Sequence, residues 1–321
     1  MIQYSENIIE VNLLNFIEKF PNEDSCIAYY KDIRIQVGIK CNKCGHDQHY
    51  WNKSKNQFEC KQCKYRTTIK KGTILENSKL PLRYWFIAIH LITSTKKTFS
   101  ASELQRQLGH SRYEPIWEML HKLRLVMGRR DDEYKLKEWA ELDEGFFKIV
   151  INQKGKTDET KRGRGAQCQA KVLVMIESSP VEPVNHKQYK KERKVGYVKM
   201  KVIENLKAET IERNAEGSIE SETNIRTDGF RSYNKFGEKY ALHEVVIAED
   251  QKEVDTLLPW VHTVISNAKR NLLGIHHMIG EDYLQNYLNE FCYKFNRRYF
   301  GEQLFDRLLI ACASYSINEI R

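Results

Sequence analysis

The chain has 321 residues, of which 41% are hydrophobic and 30% charged, and it carries a formal net charge of +9 with a pI near 9.0. This hydrophobic content excludes a disordered tail, and the most apolar run, YWFIAIHLIT at residues 84–93, is about half the length of a membrane-spanning helix. The excess of positive charge favours a polyanionic partner, nucleic acid before a membrane surface. The N-terminal stretch MIQYSENIIE lacks the basic-then-apolar order of a signal peptide, so we expect a cytoplasmic protein with no membrane partner.

The chain begins with an N-terminal helical segment, residues 1–38, in which FPNED separates two short helical patterns. A cysteine-rich block, residues 39–72, follows with the spacing C-x2-C-x15-C-x2-C. Each C-x2-C pair forms a tight knuckle, and two knuckles complete a tetrahedral zinc site. The block is therefore predicted to be a zinc ribbon, with structural Zn2+ held by Cys41, Cys44, Cys60 and Cys63. Two disulfides or free thiols are the alternative, and His46 and His49 are not needed because four thiolates already fill the coordination of zinc.

The same block is strongly basic. Residues 40–72 contain nine Lys or Arg and two Asp or Glu, a charge that suits a phosphate backbone. Lys61 and Lys64, beside the second cysteine pair, are predicted DNA contacts. The alternative is a solvated basic surface that contacts protein.

Residues 80–130 read as helices and are predicted to contain a helix-turn-helix. Two S-x-x-E patterns, SASE at 100–103 and SRYE at 111–114, match the capping box that opens a helix. A short helix, a turn and a longer helix describe the DNA-binding motif whose second helix enters the major groove. An ordinary αα-hairpin is the alternative. The predicted DNA contacts of this region are Arg112, Tyr113, Lys122, Arg129 and Arg130.

The pattern changes to strands near residue 138, and residues 138–321 are predicted to form one α/β domain ordered β-β-β-α-β-β-α. Asp143 lies in the first strand and Asp228 at the end of the fourth. If these strands are adjacent, the two carboxylates become neighbours, and such a pair must share a proton or hold a cation. Oxygen ligands of this kind suit Mg2+ or Mn2+. The alternatives are that Asp143 pairs with a buried cation and that Asp228 is a turn residue before Gly229.

A helix that starts near Pro259 is expected to supply a third ligand. Its apolar residues recur at helical spacing, and a polar stripe that includes His262 and Lys269 lies one step round the helix. The apolar stripe is Val261, Ile265, Ala268 and Leu272. The helix can therefore bury one face while His262 and Lys269 line the edge of the core. A capped surface helix with a satisfied histidine is the alternative.

Several motifs together resemble the DDE-type transposases of bacterial insertion sequences, in the subgroup with an N-terminal zinc ribbon. These motifs are ASELQRQLGHSRYEPIWEMLHKLR, ELDE, KRGRGA, TDGFRSY, SNAKRNLLGIHH and YLNEFCYKFNRR, in that order. The resemblance implies a ribonuclease-H-like mixed sheet with flanking helices, preceded by the ribbon and the helix-turn-helix. It also implies that Asp143 and Asp228 are the first two catalytic acids and that Lys269 is a catalytic-site residue placed to contact DNA.

The third catalytic position of this family is usually Glu, and the aligned residue here is His262, 34 residues after Asp228. Some members of the subgroup are similar in having Asn or His there, so His262 is predicted to be catalytic and a metal ligand. Glu253 or Asp255 is the alternative third acid. Further predicted DNA contacts are Arg162, Arg164 and Arg270.

The sequence thus predicts an insertion-sequence transposase that binds terminal inverted repeats and catalyses strand cleavage and strand transfer with two Mg2+ or Mn2+ ions. Because two element ends must be handled together, we expect a homodimer or a higher oligomer on DNA. Two alternatives stay open: an inactive, transposase-derived DNA-binding regulator, and a metal-dependent nuclease that lacks strand transfer.

Overall fold

The computed structural model describes residues 12–150, 168–181, 193–247, 257–301 and 303–320, and of residue 320 it describes the backbone only. The chain divides into two units. The first comprises Met1–Arg129 with Arg297–Arg321, and the second is Arg130–Asn296. Among the described residues, no helix combines the length and the apolar character that crossing a bilayer requires.

Helices and strands alternate in blocks along the chain. The helices are α1 (Leu13–Lys19), α2 (Glu23–Val37), α3 (Leu82–Ser94), α4 (Ala101–Leu108), α5 (Glu114–Asp132), α6 (Ala208–Glu216), α7 (Val261–Leu273), α8 (Leu284–Asn296), α9 (Gln303–Ser314) and α10 (Ile317–Ile320). The strands are β1 (His49–Asn52), β2 (Gln57–Cys60), β3 (Arg66–Thr68), β4 (Trp139–Lys148), β5 (Gln169–Pro180), β6 (Arg193–Ile203), β7 (Asn224–Thr227) and β8 (Leu242–Val245).

The first unit is built around helices α2, α3 and α9, whose aromatic side chains pack together. Phe305 of α9 lies 5.8 Å from Phe86 of α3 between ring centroids, and both are buried. Arg34 of α2 is also buried, and its guanidinium donates to the carbonyl oxygens of Ala313 and Lys71 at 3.0 and 2.9 Å. These bonds join α9 to the N-terminal helices and to the segment that leaves the ribbon.

This packing corrects the predicted domain boundary at 138–321. Residues Arg297–Arg321 belong to the first unit because α9 completes its core. The apolar side chains of α9 that are buried are Leu304, Phe305, Leu308, Leu309 and Ala311. Each large one contributes roughly 1.5–3 kcal/mol on burial, so α9 and the N-terminal helices stabilise one another.

The predicted helix pair at 100–132 is present as α4 and α5, joined by residues 109–113. Ser100 caps α4 by accepting the N–H of Glu103 at 3.1 Å, and Gly109 ends α4 in the left-handed conformation at φ +61°. Ser111 does not cap α5 as predicted. That helix begins at Glu114, and the carbonyl of Tyr113 accepts its first backbone bonds, so Ser111 lies too early in the chain.

The second unit contains a five-stranded mixed sheet in the order β6-β5-β4-β7-β8. Strands β4, β5 and β6 pair antiparallel, whereas β4, β7 and β8 pair parallel. The α/β class and the adjacency of the first and fourth strands are confirmed. Helices α7 and α8 cover one face of the sheet, and α6 covers the other.

Helix α8 also satisfies the backbone of the outer strand β6. The side-chain oxygen of Asn296 accepts the N–H of Val198 at 2.7 Å, and its amide nitrogen donates to the carbonyl of the same residue at 2.9 Å. Gln285 makes the equivalent pair of bonds to Val202 N–H and Met200 C=O. The side chains of one helix thus replace a neighbouring strand and protect the edge from pairing with another chain.

Candidate zinc centre and acidic site

The ribbon holds its four cysteines in two knuckles with the same backbone bonds. The N–H of Gly45 donates to the carbonyl of Cys41 at 2.8 Å, and the N–H of Lys64 donates to that of Cys60 at 3.1 Å. Gly45 and Lys64 occupy the same place in their knuckles, and both have positive φ, +74° and +57°. The repeated C-x2-C motif therefore folds the same way twice and turns both thiol pairs toward a common point.

The four sulfurs are arranged as zinc ligands. They lie within 4.8 Å of one another, with Cys41 to Cys63 at 3.5 Å and Cys44 to Cys60 at 3.6 Å. In a tetrahedral site with Zn–S bonds of about 2.3 Å, sulfurs are roughly 3.8 Å apart. Burial acts to raise the pKa of the Cys41 thiol, but the N–H groups of Lys43 and Cys44 and the neighbouring thiols lower it to about 6. The cluster accommodates a thiolate and fits a structural Zn2+.

The outer surface of the ribbon combines an aromatic ring with two cations. Tyr50 is 56% exposed, and the ammonium groups of Lys61 and Lys64 lie 5.2 and 5.5 Å from its ring centroid. Both lysines are exposed, as a contact with DNA requires. The ring orders the two lysine side chains on one side of the ribbon.

The basic residues of the helical region differ in accessibility. Arg112, Tyr113 and Arg129 are exposed, and Arg112 and Tyr113 precede α5 rather than lying within it. Arg130 forms an ion pair with Glu133 and lies over the ring of Tyr134, 5.0 Å from its centroid.

The prediction that Lys122 contacts DNA is wrong, because this lysine is buried. It is 5% exposed, its ammonium donates to the carbonyl of Glu76 at 3.1 Å, and it pairs with Glu118 at 3.2 Å. An ammonium used in this way inside the first unit cannot reach a phosphate. We therefore remove Lys122 from the DNA-contacting set.

The two predicted catalytic aspartates come together where the parallel pairing of β4 with β7 stops, Asp143 within β4 and Asp228 just after the end of β7. Leu142 of β4 pairs with Thr227 of β7, so Asp143 and Asp228 occupy the next positions on the two chains. Both line one cavity of about 400 Å³, and His262 from α7 lines it as well. The other lining residues are Gly229, Val246, Ile247, Leu257 and Leu258. The sequence-predicted trio therefore shares one apolar-walled cavity.

Backbone hydrogen bonds orient the two aspartates, and His262 lies beside Asp143. Asp143 accepts the N–H of Glu144 at Oδ1, 2.7 Å away, and its Oδ2 lies 3.5 Å from Nδ1 of His262. Asp228 accepts the N–H of Phe230 at Oδ1, 3.0 Å away. This is the turn that the sequence offered as an alternative role for Asp228, and it uses one carboxylate oxygen of a residue that also lines the cavity.

The trio could hold a hard divalent cation. Nε2 of His262 is buried and has no hydrogen-bond partner among the described residues, so one ligand atom is left for an ion while Nδ1 faces Asp143. Carboxylate oxygens supplemented by an imidazole suit Mg2+ and, better, Mn2+. Within the described ranges, only the four cysteines form a group with all ligand atoms within 4.8 Å.

Lys269 does not line the cavity of the aspartates. It lies about two turns further along α7 and lines a second cavity of about 320 Å³, where its ammonium is 5.7 Å from the ring centroid of Phe147. Arg270 is exposed and donates to Asn267 at 2.7 Å. The predicted residues Arg162, Arg164, Glu253 and Asp255 lie outside the described residues.

Sequence reasoning missed the groups that surround the trio. Tyr233 is buried and donates its hydroxyl hydrogen to Glu144, the residue after Asp143. Burial and the charges of Glu144, Asp143 and Asp228 raise the pKa of Tyr233 well above its usual value. The motif TDGFRSY does contain Tyr233, but only the fold brings it to β4.

The chain was compared with known proteins. Residues 135–296 match the ISXO2-like transposase domain, and residues 21–66 match the transposase zinc-ribbon domain. An uncharacterized protein in transposable element ISH50 of Halobacterium salinarum is 25% identical over 282 residues, covering 86% of this chain and 91% of that protein. Among solved structures, the Mos1 strand transfer complex matches with a TM-score of 0.30 and 12% identity, over 75% of this chain and 82% of that one. A pre-cleavage Mos1 transpososome matches with a TM-score of 0.26 and 11% identity over the same shares.

Proposed function

The chain belongs to the family of ISXO2-like transposases, and on this premise we propose that it is the DNA transposase of an insertion sequence. It binds the terminal inverted repeats of its element and catalyses DNA strand cleavage and strand transfer by a DDE-type, two-metal mechanism. The observation that carries the proposal is the shared cavity of Asp143, Asp228 and His262, beside the last parallel pair of β4 and β7. The sheet then has the ribonuclease-H-like fold that the sequence motifs imply.

Each residue of the cavity has a distinct task in this proposal. Asp143 and Asp228 supply the carboxylates that hold Mg2+ or Mn2+, and His262 supplies Nε2 while Asp143 holds its Nδ1 side. Metal ions held by these residues would lower the pKa of a water molecule or a 3′-hydroxyl and would stabilise the leaving oxygen. Apolar side chains, which include the buried Leu258 and the exposed Ile247, form the other walls, so the cavity is accessible to a DNA strand.

DNA binding is assigned to basic surfaces on both units. The ribbon presents Lys61 and Lys64 over Tyr50, and the helix-turn-helix presents Arg112 and Tyr113 ahead of α5. Lys269 lines the second cavity, the one that includes Phe147, and in this proposal it contacts the DNA backbone. Sequence-independent affinity arises from the lysines and falls with salt, whereas preference for the element end comes from residues that reach base edges. A homodimer or a higher oligomer holds two ends together.

The test is a reconstitution with the full-length protein. A labelled duplex that carries the terminal inverted repeat is incubated with protein, a target plasmid and Mg2+ or Mn2+. We expect metal-dependent cleavage at the end of the element and covalent joining of the cleaved strand to the plasmid. Asp143→Asn serves as the matched inactive protein, because it removes a charge at nearly constant shape.

The three functions under consideration give different results in this reconstitution. Cleavage without joining would identify a metal-dependent nuclease. Binding of the repeat without cleavage in either metal would identify a DNA-binding regulator, the function that His262 in place of Glu favours. A protein that neither binds nor cleaves the repeat would refute the proposal.

A further inference from the structure

Glu141 is a buried carboxylate two residues before Asp143 on the same strand. It is 0% exposed, although an isolated charge in the interior of a protein is costly. Residues i and i+2 of a strand point to the same face, so Glu141 and Asp143 both face α7. Glu141 is the first residue of the motif ELDE, but sequence reasoning assigned it no role, and the cavity of the aspartates does not include it.

Both oxygens of Glu141 are used. Oε2 accepts the backbone N–H groups of Trp260 and Val261 at 2.9 and 3.1 Å. Oε1 accepts the hydroxyl of Ser178, and the guanidinium of Arg193 lies 3.9 Å away. A carboxylate with all these partners is satisfied in the interior and is not available as a metal ligand.

The backbone groups that Glu141 accepts belong to the N-terminus of α7. The helix has no capping side chain of its own, because Trp260 stands at the N-cap position and makes no side-chain cap bond. The first N–H groups of a helix need partners, and a negative charge there is favoured by the helix dipole. Glu141 of β4 therefore acts as the cap that α7 lacks.

We propose that Glu141 is a positioning residue of the acidic site, which anchors the first turn of α7 so that His262 stands beside Asp143. The inference rests on the proposed function, in which these two residues act on the same metal. Strand β4 provides both Asp143 and the anchor, and His262 immediately follows the anchored Val261. A shift of the first turn would therefore move His262 directly, whereas the remainder of α7 is held by its buried apolar face.

Four full-length variants test the proposal. Glu141→Ala removes the anchor, and Glu141→Gln retains an oxygen that can accept both N–H groups but removes the charge. Ser178→Ala is a small change that removes the hydroxyl aiming Oε1. Glu177→Ala is the matched control. Glu177 also accepts two backbone N–H groups, but they belong to Lys137 and Tyr197 and not to α7.

Two measurements are made on each variant. Hydrogen exchange reports on the amides of Trp260 and Val261, and electron paramagnetic resonance reports on Mn2+ affinity. The Mn2+ binding that is lost in Asp143→Asn is taken as binding at the acidic site. For Glu141→Ala we expect faster exchange confined to the first turn of α7 and a loss of Mn2+ affinity of about 10-fold or more, as for residues that orient metal ligands. The Mn2+ affinity of Glu141→Gln should stay within about threefold of that of the wild type. Ser178→Ala should show a smaller rise in exchange and a smaller loss of Mn2+ affinity than Glu141→Ala. Glu177→Ala should keep wild-type exchange in α7 and wild-type Mn2+ affinity.

Different failures have different meanings. Wild-type protein that binds no Mn2+ at Asp143 refutes the proposed function itself. If Glu141→Ala binds Mn2+ as tightly as the wild type, Glu141 does not have the proposed role. If Glu141→Ala does not fold, wild-type Mn2+ affinity of Ser178→Ala overturns the role instead. A Glu141→Gln protein with normal exchange but Mn2+ affinity as poor as the alanine variant also overturns it, because the charge and not the anchor would then be responsible.

Discussion

Leu142 and Thr227 are direct partners in the parallel pairing of β4 with β7, and the residue after each of them is an aspartate. Strand β7 ends at Thr227, whereas β4 continues to Lys148, so Asp143 lies within β4 at the point where its parallel pairing stops. Asp143 and Asp228 thus bring together two carboxylates that repel unless a cation lies between them. Asp228 has a second task, because its Oδ1 also closes the turn to Phe230.

The two tasks of Asp228 can be separated by substitution. Asp228→Asn keeps an oxygen for the N–H of Phe230 but removes the charge, whereas Asp228→Ala removes both. We expect DNA-end cleavage to fall at least about 1,000-fold in both, since loss of a metal ligand removes several kcal/mol of transition-state stabilisation. Only the alanine variant should also lower the melting temperature. Asp132→Asn, at an ion pair with Lys201, is the control, and normal cleavage by Asp228→Asn would remove this residue from the site.

His262 should determine which metal the enzyme uses. Its Nε2 is a softer ligand than a carboxylate and brings no negative charge, so the native enzyme should be more active in Mn2+ than in Mg2+. We expect His262→Ala to lose most cleavage in both metals, and His262→Glu to retain activity with a preference shifted toward Mg2+. Rates are compared with those of His277→Ala, a histidine of the neighbouring cavity. Wild-type rates for His262→Ala in both metals would exclude it as a ligand.

Zinc should be required for the ribbon to fold. Because structural zinc contributes about 10 kcal/mol or more of apparent binding free energy, Cys44→Ser should lose the metal and unfold residues 39–72. Elemental analysis should find one zinc per chain in the wild type and in Cys168→Ser, whose thiol is exposed and outside the cluster. A zinc-free ribbon that keeps its native amide spectrum would contradict the assignment.

Lys61 and Lys122 should differ in their effects on DNA binding. Each phosphate contact contributes about 0.9 to the slope of log affinity against log salt, so Lys61→Ala should reduce that slope by about one. Lys122→Met should leave the slope unchanged and lower the free energy of unfolding by about 1–3 kcal/mol, because it leaves the carbonyl of Glu76 without its donor. A reduced slope for Lys122→Met at unchanged stability would show that this ammonium reaches DNA after all.

The burial of Lys122 shows where pattern reasoning failed. In the sequence of α5, Ile116 and Leu120 form an apolar stripe at helical spacing, and this stripe alone leaves Lys122 on an accessible side. In the structure Met119 and Val126 are also buried, and Lys122 lies between them at helical spacing on a second buried face. The sequence shows one core-facing stripe of a helix readily, but it does not show that partners cover the helix from two sides.

The acidic site was predictable for a different reason. Asp143 within a strand and Asp228 between a strand and a glycine are local signals, and only the order of strands had to be assumed. Glu141 could not be assigned in the same way, since its partners Trp260 and Val261 lie about 120 residues away in the chain. Its sequence signals are its place in the motif ELDE and a charge between the apolar residues Ala140 and Leu142.

Because α9 belongs to the first unit but is last in the chain, it affects the order in which the units can fold during synthesis. A ribosome releases the N-terminal helices and the ribbon first, then the whole of Arg130–Asn296, and α9 only at the end. Domains generally fold as units while the chain emerges, so the sheet with Asp143 and Asp228 can form while the N-terminal helices still lack Phe305. A product truncated before Arg297 would therefore retain every described residue of the acidic site but would expose the aromatic surface of α2 and α3 to solvent.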